Sequence, residues 1–240
     1  MSNVVVVFDF DRTIIDGDSD NWVVTQLGLT PLFDLLFSTI PWNSLMNRMM
    51  EELHSQGRTI KDIKECLEQM PLNPNIISAI KFAHSMGCDL RIVSDANQFF
   101  IKTILEHYQI FGLFTKIITN PTFVDDEGRL KILPYQDDKL SPHGCSLCPS
   151  NMCKGMILSH IQAFARENGK NTIIYVGDGG GDYCPTLNLG ENDHVMPRKK
   201  YPLWRRIVGN PSLVKAVVHD WSDAEELRAK LLHLLSSQAP

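Results

Sequence analysis

Residues 4–13 read VVVVFDFDRT, a β-branched run that leads into two aspartates, Asp9 and Asp11. A continuous apolar run of this kind is typical of a parallel strand buried on both faces of a sheet. Similar runs alternate with helical patterns further along, as strands at 90–93, 117–119 and 172–176 and helices at about 99–108 and 154–168. The alternation predicts an α/β fold built on a doubly wound parallel sheet.

Residues 16–86 interrupt this alternation. They contain no strand-like run, and their apolar residues recur at helical spacing through 21–28, 31–39, 43–56, 59–70 and 74–86. Asn73 before Pro74 indicates a helix start, and Gly87 suits a helix end. We therefore expect two domains: a core of residues 1–15 plus 87–240, and an all-helical insertion of residues 16–86.

Two smaller elements are predicted outside this framework. Residues 122–124 and 129–133 flank the turn sequence DDEG and predict a hairpin. Ser222 and Glu225 have the spacing of a capping box, which predicts a final helix that runs to about Leu235.

Composition narrows the class of protein. The chain has 240 residues, 43% of them hydrophobic and 21% charged, which is typical of a globular protein. Its net charge of −5 disfavours nucleic acid and anionic membranes as partners. No segment suggests a membrane span or a secretory signal, so we expect a cytoplasmic protein. Six cysteines in 240 residues are too sparse for a disulfide framework, so we expect reduced thiols.

Four short motifs follow strand-like runs or begin a helix: Asp9 to Thr13, Ser94 to Asn97, Lys154, and the acidic glycine-rich turn Asp178 to Asp182. Ligands of open α/β sheets bind at the carboxyl ends of the strands, so these motifs are expected at one site. Each is weak evidence alone, because acidic turns and surface lysines are common. Together they supply a nucleophile, a second carboxylate, a hydroxyl, a cation and metal ligands, which suits metal-assisted phosphoryl transfer.

With these motifs in this order, residues 4 to about 197 resemble the haloacid-dehalogenase-type phosphatases. The stretches FDFDRTIIDGDSD, RIVSDAN, HGCSLCPSNMCKG and VGDGGGDYCP are similar to the branch that includes phosphoethanolamine/phosphocholine phosphatases and plant enzymes acting on thiamine phosphate or pyrophosphate. The resemblance implies a Rossmann-like core with the helical insertion as a cap, an aspartyl-phosphate intermediate and a small phosphorylated metabolite as substrate.

The resemblance also implies residue roles. Asp9 would be the nucleophile, Asp11 the general acid and base, and Lys154 the cation that holds Asp9 and phosphate together. Thr13 and Ser94 would orient the phosphoryl group. From their positions near the strand ends, Asp20, Asp95 and Asn97 are further candidate substrate-binding residues. Mg²⁺ would lie between Asp9, the Asp11 carbonyl, Asp178 and Asp182, since hard oxygen ligands suit this cation.

Substrate choice is expected to depend on the cap, where acidic residues outnumber basic residues by four. Asp20 with Asp95 would pair with a cationic leaving group, and Trp22 or Trp42 would add a cation–π face. The alternative substrate is inorganic pyrophosphate, which would need further cations from Arg12, Arg48 or Lys102. Oligomeric state has no signal in the sequence.

A third feature is the segment His143-Gly144-Cys145-x-x-Cys148-x4-Cys153. A Cys-x-x-Cys pair with a histidine and a third cysteine nearby has the spacing of a zinc site. Loop packing and a redox pair are the alternatives. A zinc- or redox-responsive interaction protein is therefore the distant functional alternative to a phosphatase.

Overall fold

Strand β1 (Val4–Phe8) lies in the middle of a parallel sheet. In the computed structural model, which describes residues 2–136 and 143–237, six strands form this sheet in the order β3-β2-β1-β6-β7-β8. The other strands are β2 (Asp89–Asn97), β3 (Lys116–Asn120), β6 (Thr172–Gly177), β7 (His194–Pro197) and β8 (Val217–Val218). The predicted doubly wound parallel sheet is confirmed.

Alternate residues of β1 point to opposite faces of the sheet, and both faces are covered. Val4 and Val6 belong to one hydrophobic core cluster, while Val5 and Val7 belong to the other. Burial on both faces explains why the strand is apolar at every position. Core helices are α6 (Gln98–His107), α7 (Lys154–Glu167), α8 (Tyr183–Asn188), α9 (Pro202–Gly209) and α10 (Ala224–Ser237).

The direction of winding reverses beside β1. The chain proceeds from β1 to β2 and β3 on one side, and from β6 to β7 and β8 on the other. In an open α/β sheet, the crevice at such a switch point is the place where ligands bind. The ends of β1 and β6 are therefore the expected floor of a site.

Five helices connect β1 to β2, where the all-helical insertion is expected: α1 (Ser19–Gln26), α2 (Thr30–Leu36), α3 (Trp42–Ser55), α4 (Ile60–Glu68) and α5 (Pro74–Ser85). Helix α5 packs against α10 and contacts β2, so it lies in the helix layer of the sheet. Helix α4 packs against α6. The division of the chain at residue 86 remains a prediction.

The predicted hairpin forms as β4 (Thr122–Val124) and β5 (Leu130–Ile132), and it supports the inserted helices. The Asn47 side chain on α3 binds both backbone groups of Ile132, accepting from its N–H at 2.9 Å and donating to its carbonyl at 2.7 Å. Lys131 Nζ lies 2.7 Å from Glu51 of the same helix. These contacts fix α3 relative to the hairpin.

The cap of the last helix is displaced by one residue from its predicted place. The Asp223 carboxylate accepts the Glu226 N–H, and the Glu226 carboxylate accepts the Ser222 N–H. The Ser222–Glu225 capping box is therefore wrong. Asp223 takes the capping role one residue later, because an aspartate side chain also accepts hydrogen bonds at a helix start.

Within the described residues, none of the helices is both long enough and apolar enough to cross a lipid bilayer.

Candidate active site

Asp9 lies at the end of β1, directly over the switch point. Its N–H donates to the Val176 carbonyl at 2.8 Å, so Asp9 continues the pairing of β1 with β6. Its buried carboxylate accepts the Phe10 N–H at 2.7 Å and lies 2.9 Å from Lys154 Nζ. Burial raises the pKa of Asp9 well above its ordinary value, Asp182 raises it further, and Lys154 opposes both. Added positive charge would favour the ionised carboxylate.

Lys154 is the first residue of α7 and bridges two carboxylates. Its Nζ lies 2.9 Å from an oxygen of Asp9 and 2.9 Å from one of Asp182. Burial alone would lower the pKa of Lys154, but the two carboxylates outweigh burial and raise it well above its ordinary value. Lys154 is therefore a permanent cation in this site.

Asp182 is fixed by further donors. The Tyr175 hydroxyl donates to its Oδ1 at 2.8 Å, and the N–H groups of Asp178 and Gly179 donate to its Oδ2 at 3.1 and 2.8 Å. Position 177 is glycine for a steric reason, because a Cβ there would lie 2.6 Å from Asp182 Oδ2. The turn after β6 is thus folded around this carboxylate.

Three carboxylates form an acidic group that suits a divalent cation. Oxygen atoms of Asp9, Asp178 and Asp182 lie within 4.8 Å of one another, and all three residues are buried. Burial, with the charge of Asp182, raises the pKa of Asp178 to about 7. Clustered buried carboxylates are costly unless a cation neutralises them, and oxygen ligands match Mg²⁺ and Ca²⁺. The donor set therefore fits the predicted metal, and the Asp11 carboxylate is outside it.

Asp11 faces the first inserted helix instead. Its Oδ1 accepts the Ser19 N–H at 2.8 Å, at the start of α1. Burial first, then the nearby Asp18 and Asp20, raise the pKa of Asp11 well above its ordinary value. A raised pKa favours the protonated carboxyl, which is the form that a general acid needs.

Asp20 and Trp42 meet on the cap side of the site. The Trp42 indole N–H donates to Asp20 Oδ2 at 2.7 Å. Asp20 Oδ1 is buried and has no hydrogen-bond partner among the described residues. Burial, reinforced by Asp18, raises the pKa of Asp20 to about 8.

These groups surround one cavity of about 400 Å³. Its charged lining consists of seven carboxylates (Asp9, Asp11, Asp18, Asp20, Asp95, Asp178 and Asp182) and two cations (Arg12 and Lys154). Seven of the ten predicted site residues therefore line one cavity: Asp9, Asp11, Asp20, Asp95, Lys154, Asp178 and Asp182.

The other three predicted site residues lie behind the cavity wall. Thr13 donates its hydroxyl to Asp178 at 3.4 Å, Ser94 accepts the Ala96 N–H at 3.2 Å, and Asn97 caps α6 by accepting the Phe100 N–H at 3.0 Å. All three are buried and none is part of the lining. Their contacts in this structure position the loops that carry the lining residues.

Two positioning residues were not predicted. Tyr175 holds Asp182 through its hydroxyl. Because Tyr175 lies within the apolar run 172–176, the pattern indicates a buried strand residue and gives no sign of a polar contact. Asn120, at the end of β3, donates to the carbonyls of Asp95 and Ala96 at 2.6 and 2.8 Å. Its place after a predicted strand was the available signal.

Several residues proposed for substrate recognition lie elsewhere. The Trp22 indole donates to the Cys66 carbonyl at 2.9 Å, so only Trp42 reaches the cavity. Arg48 pairs with Glu52 at 3.4 Å and Lys102 with Glu106 at 3.8 Å, both away from the cavity lining. Of the three cations considered for pyrophosphate, Arg12 alone lines the cavity, where it pairs with Asp18 at 3.2 Å.

The predicted cysteine site gathers differently from expectation. Cys145, Cys148 and Cys153 lie together, but the fourth member of the group is Cys184. His143 instead contacts its own loop, accepting the Cys145 N–H at 3.0 Å through Nδ1 and lying 2.9 Å from the Pro149 carbonyl through Nε2. Cys184 follows the acidic turn in the sequence VGDGGGDYCP, far from the other cysteines along the chain.

Comparison with known proteins places the chain among phosphatases. The family model Put_Phosphatase, described as "Putative Phosphatase", matches residues 4–235. The chain is 59% identical over 238 residues to a thiamine phosphate phosphatase-like protein of Arabidopsis thaliana, covering 99% of this chain and 97% of that one. It is 56% identical to inorganic pyrophosphatase 2 of the same plant, covering 98% and 85%. It is 32% identical to the human phosphoethanolamine/phosphocholine phosphatase, covering 97% and 90%.

The fold also resembles solved structures of more distant sequence. A substrate-bound phosphoserine phosphatase superimposes with a TM-score of 0.62 at 14% identity, covering 96% of this chain and 98% of that one. At this identity the similarity concerns the fold alone.

Proposed function

Because this chain belongs to the Put_Phosphatase family of haloacid-dehalogenase-type phosphatases, it is a phosphoric monoester hydrolase, and we propose that Asp9 is its nucleophile. One observation carries this assignment: Asp9 lies at the switch point of the sheet, 2.9 Å from a buried lysine, in a cavity lined by seven carboxylates. A carboxylate nucleophile forms a covalent intermediate that divides hydrolysis into two easier steps.

In the first step, an Asp9 carboxylate oxygen attacks phosphorus as the bond from phosphorus to the leaving oxygen breaks. The Lys154 ammonium, shared between Asp9 and Asp182, favours the ionised nucleophile and opposes the negative charge of the phosphoryl oxygens. The backbone of the turn Gly179 to Gly181 lines the same cavity and leaves room for the phosphoryl group.

We assign the proton transfers to Asp11. Its raised pKa favours the protonated carboxyl, and this carboxyl donates the proton that the leaving oxygen needs in the first step. In the second step the resulting Asp11 carboxylate takes a proton from water, whose oxygen attacks phosphorus and releases Asp9 and inorganic phosphate. The Ser19 N–H, at 2.8 Å, holds the Asp11 carboxyl in place.

Mg²⁺ is the proposed cofactor, with the Asp9 and Asp178 carboxylates and the Asp11 carbonyl as its ligands and with Asp182 in support. When bound, it would supply positive charge beside the phosphoryl oxygens. Thr13 supports this site by its hydrogen bond to Asp178.

For the substrate, we propose a small phosphomonoester with a cationic leaving group, such as phosphocholine, phosphoethanolamine or thiamine monophosphate. Asp20 presents a buried oxygen without a partner, and Trp42 lies beside it with its ring on the cavity. A carboxylate next to an indole is a suitable receptor for an ammonium or thiazolium group. Asp95 adds a second carboxylate to the lining, whereas Thr13, Ser94 and Asn97 would orient the phosphoryl group through the loops they hold.

Inorganic pyrophosphate is the second candidate substrate, favoured by the 56% identity to the plant protein named inorganic pyrophosphatase 2. The charges of the cavity oppose it, because a second phosphoryl group would face carboxylates with Arg12 and Lys154 as the lining's cations. Competition between pyrophosphate and thiamine monophosphate at equal concentration, with Mg²⁺, decides between them. A preference for pyrophosphate above about tenfold, or about 1.4 kcal/mol, would overturn the phosphomonoester assignment.

The nucleophile is tested by Asp9→Asn, which keeps the size of the side chain. We expect loss of turnover by at least about 10⁴-fold, since the covalent step disappears, with an unchanged circular dichroism spectrum. Asp34→Asn is the matched control, because it neutralises an exposed carboxylate on α2 that lies outside the cavity. Retained turnover in Asp9→Asn would contradict the aspartyl-phosphate mechanism.

Two further predictions, on domain organisation and location, belong to this proposal. Residues 16–86 would act as the cap over a core of residues 1–15 and 87–240, supported by the placement of Asp20 and Trp42 on the cavity. A cytoplasmic location is supported by the six cysteines, which all lie in the described residues and are free thiols.

A further inference from the structure

A group of four cysteines lies outside the catalytic cavity. Cys145, Cys148, Cys153 and Cys184 bring their sulfur atoms within 4.8 Å of one another. Three of them come from the loop before α7, and Cys184 comes from α8. Two are buried (Cys153 and Cys184) and two are partly exposed (Cys145 and Cys148). The phosphatase mechanism uses none of these thiols.

The sulfur–sulfur distances identify the kind of site. Cys145 Sγ lies 3.6 Å from Cys184 Sγ, and Cys153 Sγ lies 4.0 Å from it. A tetrahedral zinc–thiolate centre with Zn–S bonds of about 2.3 Å has ligand sulfurs about 3.8 Å apart. A disulfide needs about 2.05 Å between sulfurs, so the observed spacing matches shared metal ligands instead.

The surroundings of the thiols also suit bound thiolates. Cys153 caps α7, and its Sγ accepts the Met156 N–H at 3.5 Å, so it lies at the positive end of a fourteen-residue helix. Position 155 is glycine, and a Cβ there would collide with Cys184 Sγ. The absence of a side chain at Gly155 therefore admits the fourth sulfur to the group.

We propose that Cys145, Cys148, Cys153 and Cys184 bind one Zn²⁺ as a structural site. Four thiolates complete the tetrahedral coordination and leave no open position for catalysis, in agreement with a structural role. The metal would tie the 143–153 loop to α8, which follows the turn that carries Asp178 and Asp182. Lys154 directly follows the ligand Cys153, so the same metal would position the catalytic lysine.

The proposal is tested on the full-length protein purified from zinc-supplemented cells and dialysed under reducing conditions. We expect about one zinc per chain by elemental analysis. Replacement by Co²⁺ should give the intense visible bands and the thiolate-to-metal charge-transfer absorption of a tetrahedral centre. This spectrum is read on the unmodified chain, so it does not depend on whether any variant folds.

Variants then identify the ligands. Cys184→Ser should weaken zinc binding by more than about tenfold, whereas three matched controls should retain it. Cys66→Ser changes a buried cysteine outside the group, His143→Ala removes the histidine, and Asp178→Asn disables the acidic metal site. Protein without zinc and without thiolate–cobalt bands would overturn the proposal, as would an unchanged zinc affinity in Cys184→Ser or a loss of zinc in Asp178→Asn.

Discussion

Asp20, a proposed substrate-binding residue, lies where its carboxyl has a cost in stability. Its carboxyl is buried, keeps one oxygen without a partner, and has a pKa raised to about 8 by burial and by Asp18. In the unfolded chain the same carboxyl would ionise near pH 4. Such a position suits the proposed cationic leaving group, which would favour the ionised form in the bound state.

This pKa gives a prediction for stability. Between about pH 4 and about pH 8 the folded state holds a proton on Asp20 that the unfolded state has lost, so folding becomes less favourable as the pH rises. Asp20→Asn removes this dependence. We expect the free energy of unfolding of the variant, relative to wild type, to increase by at least about 1 kcal/mol between about pH 5 and about pH 8.

Urea titrations at the two pH values measure this difference, and Asp34→Asn, an exposed substitution on α2, is the matched control that should show no such trend. A constant difference across the pH range would contradict the buried, protonated state of Asp20. The same Asp20→Asn protein should lose selectivity for thiamine monophosphate over a neutral phosphomonoester if Asp20 binds the cationic group.

At this scale, the motifs predicted which residues meet at the cavity because parallel strands share one carboxyl edge. Asp9 and Asp178 follow neighbouring strands, and the periodicity of the sequence is enough to place them together. Cys184 was out of reach, because it follows no cysteine pattern of its own and meets its partner Cys145, 39 residues away along the chain, only in the tertiary fold. Asn120 follows a predicted strand, but its contacts with the carbonyls of Asp95 and Ala96 are likewise set by the tertiary fold.

Among the elements, α7 contributes residues to both proposed sites. Its N-terminus places Cys153 in the thiol group and Lys154 in the catalytic cavity, and both depend on the close approach of α8 at Gly155. Helix propensity would favour alanine over glycine within a helix by about 1 kcal/mol. Packing against Cys184 outweighs that preference.

Gly155→Ala is therefore expected to destabilise the protein by about 1–3 kcal/mol, since the new methyl group forces α7 and α8 apart. Gly112→Ala is the matched control: nothing lies within 4 Å of the added methyl group, so we expect a change within about 0.5 kcal/mol. Chemical unfolding of both variants measures the two effects. Equal stability of Gly155→Ala and wild type would contradict the close contact between the helices.

The accuracy of the predicted elements followed their length and burial. The long apolar runs became β1, β2, β3 and β6, and the hairpin formed where it was expected. Strands β7 and β8 were not predicted, because β7 has four residues that include a histidine and a proline, and β8 has two residues that are exposed. Strands this short are defined by pairing with a neighbour, which periodicity does not report.

For the molecule as a whole, the distribution of acidic residues is more specific than the net charge of −5 suggests. Several acidic residues of the cap form ion pairs on helix surfaces, as in Lys61–Glu65 and Lys64–Glu68. Of the acidic residues in the cap, only Asp18 and Asp20 line the cavity. The other five lining carboxylates belong to the predicted core. The negative potential of the site is therefore built mainly by the sheet.

This excess of carboxylates predicts that Mg²⁺ stabilises the folded protein. At a hundredfold excess over its dissociation constant, a ligand specific to the folded state contributes about 2.7 kcal/mol. In a chain of this size the corresponding rise in melting temperature is about 5–10 °C. Thermal unfolding of protein dialysed free of Mg²⁺, with and without added Mg²⁺, measures the rise.

Asp178→Asn makes that measurement specific to the acidic group. Without Mg²⁺ the variant should melt at or above the temperature of wild type, since it lacks one of three mutually repelling buried carboxylates. The missing carboxylate, Asp178, is one whose pKa is raised, to about 7. With Mg²⁺ it should gain little, since a ligand is missing. The thiol group should not affect this comparison, because Mg²⁺ prefers oxygen ligands. An equal Mg²⁺-dependent rise in both proteins would place the cation elsewhere and contradict the assignment of Asp178 as a ligand.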